Sequence, residues 1–204
     1  KQVLIYDTTL RDGTQGEQIN FSAEEKLRIA QKLAELGIQY IEGGWPGSNP
    51  KDIRFFQMAK NARLNTCLTA FGSTRRAHTL PEKDPNLKAL LQAETQTITI
   101  FGKVWDLHVT EILGVSLKEN INMIADSITY LKSQGKEVIF DAEHSFDAYK
   151  ANPSYTFQTI QAAISGGADM IVLCDTNGGS MVHDVKEIMA VAKKTFPDTF
   201  FGIH

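Results

Sequence analysis

Arg11 and Asp12 stand side by side in Tyr6-Asp7-Thr8-Thr9-Leu10-Arg11-Asp12-Gly13-Thr14-Gln15, directly after a short β-branched and aromatic run. A guanidinium at the end of a strand offers a fixed cation to a developing oxyanion, and the carboxylate beside it offers a hard oxygen ligand to a metal ion. An isolated Asp12-Gly13 would read as a plain turn. Its company changes that reading. Glu42-Gly43-Gly44-Trp45-Pro46-Gly47, Phe71-Gly72-Ser73-Thr74-Arg75-Arg76, Phe101-Gly102-Lys103, Asp141-Ala142-Glu143-His144 and Cys174-Asp175-Thr176-Asn177-Gly178-Gly179 each follow an apolar run, most with glycines that let backbone approach a ligand closely. Gly202-Ile203-His204 ends on an imidazole that reads as one half of a ligand pair, the other half lying beyond it.

These clusters need elements to carry them. Runs rich in β-branched and aromatic residues predict strands at Val3–Tyr6, Tyr40–Glu42, Thr66–Ala70, Thr97–Phe101, Val138–Asp141, Met170–Cys174 and Phe200–Ile203. The spacing of roughly 30 to 40 residues is that of one strand–helix unit. Ser22-Ala23-Glu24-Glu25 predicts a capping box, with Leu27, Ala30, Leu33 and Ala34 on one helical face and Gly37 as the stop. Ser116-Leu117-Lys118-Glu119 predicts a second box, opening a helix faced by Ile121, Ile124, Ile128 and Leu131 and ended by Gly135. Asn152-Pro153 starts another helix, and Val182, Val185, Met189 and Ala192 stripe the last. No Gly-x-Gly-x-x-Gly follows the first strand, and polar residues suited to chemistry follow at least four different strands. Both features favour an α/β fold of the (β/α)8 TIM-barrel class over a doubly wound sheet. Six strand–helix units and a seventh strand make residues 1–204 one catalytic domain, truncated after that strand, with trimming expected at Lys1 as well.

Composition narrows the function classes. With 42% hydrophobic and 22% charged residues over 204 positions, the chain can bury a substantial core. A net charge of −3 without a long basic run leaves no electrostatic footprint for nucleic acid or an anionic membrane, so neither is an expected partner. Cys67 and Cys174, in apparently buried strands, read as two free thiols in a reducing compartment, which points to the cytoplasm.

Taken in order, these blocks resemble the metal-dependent, acyl-CoA-condensing barrel enzymes that include 2-isopropylmalate, homocitrate and citramalate synthases. Asp7-Thr8-Thr9-Leu10-Arg11-Asp12-Gly13 is similar to that family's first signature, and Gly202-Ile203-His204 to the start of its second, Gly-(Val/Ile)-His-x-His-Asn. Ile41 through Asp52, Phe101 through Val109 and Phe140 through His144 look like its citramalate-forming branch. The resemblance implies a metal held by Asp12 and His204, with Mg²⁺ or Mn²⁺ preferred and Zn²⁺ or Co²⁺ as substitutes. It implies acetyl-CoA as co-substrate and a 2-oxo acid, pyruvate, as acceptor, joined in a Claisen-type condensation that feeds isoleucine synthesis. Arg11 then stabilises charge on the keto or enolate oxygen, Thr176 binds the substrate carboxylate, and Glu143 removes the methyl proton or orients the base. Gln15 and Glu17 order the first loop and its metal shell, and His144 hydrogen-bonds behind the ligands. Lys103, Arg75 and Arg76 could attract CoA phosphates, with solvated charge the alternative for the arginine pair. His78, His108 and His183 read as ordinary polar residues.

Ser145 and Ala148 depart from the family's Phe and Gly in what reads as a loop, Phe146-Asp147-Ala148-Tyr149-Lys150. The full-length protein is expected to be a homodimer. With the second histidine, the eighth strand and any regulatory domain absent, these 204 residues alone are expected to hold metal poorly and turn over little. The same chemistry on 2-oxoisovalerate or 2-oxoglutarate is the nearest rival, followed by lysis of a 3-hydroxyacyl-CoA and by a non-catalytic binding barrel.

Overall fold

The computed structural model describes residues 3–204. Strands β1 (Tyr6–Asp7), β2 (Tyr40–Gly44), β3 (Cys67–Ser73), β4 (Thr97–Lys103), β5 (Glu137–Glu143), β6 (Met170–Leu173) and β7 (Phe201–Ile203) follow one another in chain order in the sheet. Between them lie helices α1 (Ala23–Glu35), α2 (Pro50–Asn61), α3 (Pro85–Gln92), the short α4 (Asp106–His108), α5 (Leu117–Ser133), α6 (Ser145–Ala151), α7 (Pro153–Gly166) and α8 (Val182–Thr195). A π-helical turn over Val109–Leu113 continues α4. Parallel strands in chain order, each joined to the next through helix, are the (β/α)8 barrel class carried through its seventh strand. The chain forms two compact units, residues 1–72 with 85–99 and residues 73–84 with 100–204.

In the first unit, β1 pairs with β2 (Tyr6↔Tyr40, Asp7↔Ile41) and β2 with β3 (Ile41↔Leu68, Glu42↔Thr69). A complete capping box opens α1: Ser22 Oγ accepts the Glu25 N–H, and the Glu25 carboxylate accepts the Ser22 N–H. The helix ends before Gly37, whose φ of +87° any side chain would strain. Its buried stripe is Ala23, Lys26 and Ala30, with Leu27, Leu33 and Ala34 only half-buried. Lys26 is the unexpected member. Its ammonium reaches the Asp52 carboxylate on α2 and the carbonyl of Gly43, so a buried charge is matched and hydrogen-bonded. Asp52 also accepts the N–H of Trp45 at 2.8 Å, and a Cβ on Gly44 would sit 2.4 Å from its carboxyl carbon. Glycine at that position is therefore steric necessity.

In the second unit, β5 pairs with β6 and β6 with β7. Ile124, Ile128 and Leu131 of α5 are fully buried, as the apolar stripe predicts, and Phe140 on β5 lies so close to Gly102 that a Cβ there would come within 2.8 Å of its ring. Asn152 caps α7 by accepting the Tyr155 N–H. The Tyr155 hydroxyl, bonded to Asn120 at 2.9 Å, has its pKa pushed up to about 12 by burial.

Several expectations are corrected. β1 begins at Tyr6, because Val3 and Ile5 are exposed and the register with β2 starts at Tyr6↔Tyr40. β2, β4 and β5 run further than their apolar cores, to Gly44, Lys103 and Glu143. Polar residues thus end these strands from within. Cys67 is exposed at the first position of β3, whereas Cys174 is buried, and among the described residues no disulfide joins them. Ser116 caps α5, but the Glu119 carboxylate turns to Arg75 and the His78 N–H, leaving half a box. Residues 145–151 are helical rather than a loop. Val182 is exposed, and the buried stripe of α8 is Ile188, Met189 and Ala192.

Candidate active site

In the first unit the chain turns sharply after β1. Asp7 accepts the N–H and hydroxyl of Thr9, Thr8 O accepts the N–H groups of Arg11 and Gly13, and Leu10 is fully buried as the anchor. This turn delivers the Arg11 side chain, 11% exposed, onto Glu42 of β2 through Nε. Nη1 donates to Asp12 Oδ1 at 2.8 Å, and the guanidinium carbon sits 3.9 Å above the Phe71 ring. Glu42 itself is fully buried. Tyr6 O–H donates to its other oxygen at 2.5 Å and lies 2.8 Å from Thr99 Oγ1. Arg11 is therefore held on two edges and one face, the arrangement that gives a cation fixed aim.

Asp12 shares that cluster while its side chain remains 45% exposed. A carboxylate fixed on one oxygen and reachable by solvent suits a hard divalent cation. Gln15 contributes through its backbone, its N–H donating to Asp12 O at 2.9 Å. Glu17 is exposed, and among the described residues its carboxylate makes none of this loop's hydrogen bonds. Glu42 is the residue that sequence reasoning passed over as part of a glycine-rich turn. The available signal was an acid inside Tyr40-Ile41-Glu42, since a carboxylate within a buried strand needs a partner.

In the second unit, Lys103 at the end of β4 is ion-paired with Glu143 at the end of β5. Among the described residues no hydrogen bond accompanies that pair at the buried Glu143 Oε2. His144 follows with φ +55°, a left-handed conformation that a residue with a side chain adopts at a cost. Its N–H is held by Thr176 Oγ1 at 2.9 Å, so that hydroxyl, with an acceptor position filled, can donate elsewhere. The His144 ring lies 3.4 Å from Asp147 and edge-on to His108, with Trp105 tilted against His108 at 4.7 Å between ring centres. His108 is thus part of this cluster and not an incidental polar residue. Burial lowers its pKa first, aided by His144 and Lys103, and among the described residues its buried Nδ1 has no hydrogen-bond partner. Nothing in its sequence spacing marked it.

His204 continues the ladder beyond β7, its N–H bonded to Leu173 O and its carbonyl to the Asp175 N–H. Its ring groups with Asp141 and Cys174, the three potential ligand atoms lying within 4.8 Å of one another. Arg75 is buried against Glu119 and Asp126, a structural ion pair instead of a phosphate-seeking or solvated charge; Arg76 is exposed. His78 and His183 are exposed.

Among the described residues no helix is long and apolar enough to cross a membrane. The profile of the HMGL-like family matches residues 2–204. The chain is 56% identical over 205 aligned positions to the (R)-citramalate synthase of Aquifex aeolicus, covering 100% of this chain and 39% of that protein. To a 2-isopropylmalate synthase of Prochlorococcus marinus it is 33% identical, covering 97% of this chain and 36% of that protein. It thus spans roughly two fifths of these relatives' length. The HMG-CoA lyase of Bacillus subtilis superposes with a TM-score of 0.81 at 17% identity, covering 100% of this chain and 68% of that one, which is a likeness of fold. Matched by that profile from residue 2 to its last residue, the chain belongs to the HMGL-like family.

Proposed function

We propose that this chain is the catalytic portion of an acyltransferase that condenses acetyl-CoA with pyruvate and releases (R)-citramalate and CoA. The Arg11 clamp carries the chemical half of this reading. A guanidinium already oriented by buried Glu42 can meet charge on a keto oxygen without reorganising, so it binds the transition state better than the ground state. The greater identity to the citramalate synthase than to the 2-isopropylmalate synthase, 56% against 33%, supports pyruvate as acceptor.

Asp12 and His204 are the proposed ligands of a divalent cation of the magnesium or manganese class. Such an ion, when bound, acts as a Lewis acid toward a chelating 2-oxo acid. The residues of the chain do the rest. The Thr176 hydroxyl, its oxygen already accepting from the His144 N–H, donates to the substrate carboxylate. Glu143 takes a proton from the acetyl methyl group, and Lys103 holds that carboxylate in place. The resulting carbon nucleophile attacks the keto carbon, the keto oxygen becomes an alkoxide whose charge Arg11 meets and which takes up the proton removed by Glu143, and water then cleaves the thioester to a carboxylate, expelling CoA as the thiol.

The test is CoA release by the full-length protein. Pyruvate should exceed 2-oxoisovalerate and 2-oxoglutarate in kcat/KM by about 10-fold or more, the discrimination a pocket gains over extra methylenes. Equal or faster turnover of either competitor overturns the choice of acceptor. Glu143→Gln should lower kcat by about 100-fold or more with little change in KM for pyruvate.

A further inference from the structure

Asp141 and Cys174, each 7% exposed, are buried polar side chains for which the acyl-transfer chemistry has no use. Strand register puts them on one face with His204. Asp141 pairs with Val172 and Val172 with Gly202, so these three positions point the same way; two residues on, the pleat returns Cys174 and His204 to that face. The ladder persists past the strand ends. Cys174 N–H donates to Ala142 O at 3.3 Å, His204 N–H to Leu173 O at 3.0 Å and Asp175 N–H to His204 O at 2.8 Å. One oxygen of Asp141, the sulfur of Cys174 and one ring nitrogen of His204 consequently lie within 4.8 Å of one another, on three adjacent strands.

We propose that Asp141, Cys174 and His204 form a binding site for a thiophilic divalent cation of the zinc class. Carboxylate, thiolate and imidazole are the donor set that zinc accepts, and with water in the fourth position they complete a tetrahedron. Donors about 2.0–2.3 Å from one ion stand roughly 3.3–3.6 Å apart, so binding draws the three atoms together from within 4.8 Å and takes the Cys174 thiol from the carbonyl of Val172. The sulfur excludes magnesium, which takes oxygen ligands and near-octahedral geometry. Cys174 binds as the thiolate, and its proton leaves to solvent. His204 is exposed, which gives an ion a way in. The site stands on these three residues alone. One consequence rests on the acyl-transfer reading: since His204 is also the imidazole proposed for the catalytic cation, a zinc-class ion here competes for it.

Titrating the metal-stripped full-length protein with Co²⁺ as an optical probe tests the site independently of any turnover. The expected result is a thiolate-to-cobalt charge-transfer band that saturates at one ion per chain, is displaced by Zn²⁺ but not by Mg²⁺, survives Cys67→Ser and vanishes in Cys174→Ser. Zinc affinity of Cys174→Ser should fall by more than about 100-fold, beyond the cost of losing a supporting outer partner. A band that is absent, or that disappears with Cys67 instead, overturns the proposal. In the unaltered protein, Zn²⁺ and not Mg²⁺ should slow iodoacetamide alkylation of Cys174, mapped by peptide mass spectrometry, while Cys67 reacts as before. Equal Cys174 alkylation with and without Zn²⁺ overturns it even if the serine variant fails to fold. Failure of citramalate formation leaves these readouts untouched.

Discussion

Arg11 shows how neighbours fix the aim of a single side chain. Glu42 holds its Nε, Asp12 holds Nη1 and Phe71 lies beneath the guanidinium. On the proposed acyl-transfer reading, Arg11→Lys keeps the charge but loses the planar fork, and should lower kcat of the full-length protein about 100-fold while leaving the fold intact. Steady-state kinetics beside a thermal melt separate the two effects. Glu42→Gln removes the counter-charge from a nearly buried cation and should cost about 3 kcal/mol of stability in urea denaturation, with turnover lost as well. Arg11 and Asp12 were legible as a pair because they adjoin in the chain. Glu42 was not, because its meaning depends on a residue thirty-one positions earlier.

At the scale of elements, local capping chemistry and long-range charge compete for the same side chains. Glu25 closes its box on Ser22, whereas the Glu119 carboxylate leaves the Ser116 cap for Arg75, which is 6% exposed in its side chain. Glu119→Ala should therefore destabilise by about 2 kcal/mol or more, since it strips one carboxylate from a buried guanidinium. Glu25→Ala should cost visibly less in the same denaturation series. Lys26→Met leaves Asp52 buried without its cation and should cost about 3–5 kcal/mol, loosening α1, α2 and the Gly43–Trp45 turn together. The periodicity of α1 gave no warning of Lys26, because a charged residue on the apolar face counts against the stripe until its partner on the next helix is known.

Over the whole molecule, these buried and hydrogen-bonded groups shape the dependence of stability on pH. Burial, then His144 and Lys103, lower the pKa of His108 from the usual 6.5, so the folded protein keeps it neutral where the unfolded chain has begun to take up a proton. That contribution is complete above about pH 6.5 and is lost as pH falls toward the depressed folded value. A second loss begins near pH 4.5, where Glu119, lowered by the His78 N–H and by Arg75, must be protonated. Urea midpoints measured from pH 7.5 down to 4 should show the first decline in the parent and not in His108→Gln, with the second decline in both.

The sequence by itself determined most of the local structure, and it singled out the side chains that the proposed chemistry uses. Capping residues, apolar stripes, strand composition and the adjacency of Arg11 to Asp12 are all short-range properties, governed by hydrogen bonds and burial within a few residues. Tertiary structure alone decided what lies beside what across strands. The turn after β1 carried Arg11 to Glu42, and register carried Asp141 and Cys174 to His204; the cluster after β4 and β5 carried His108 to His144. Those neighbours are some thirty residues or more apart in the chain, and no periodic pattern encodes which side chain of one strand faces which of the next. Only the packed sheet, with its parallel register and alternating pleat, fixes that pairing.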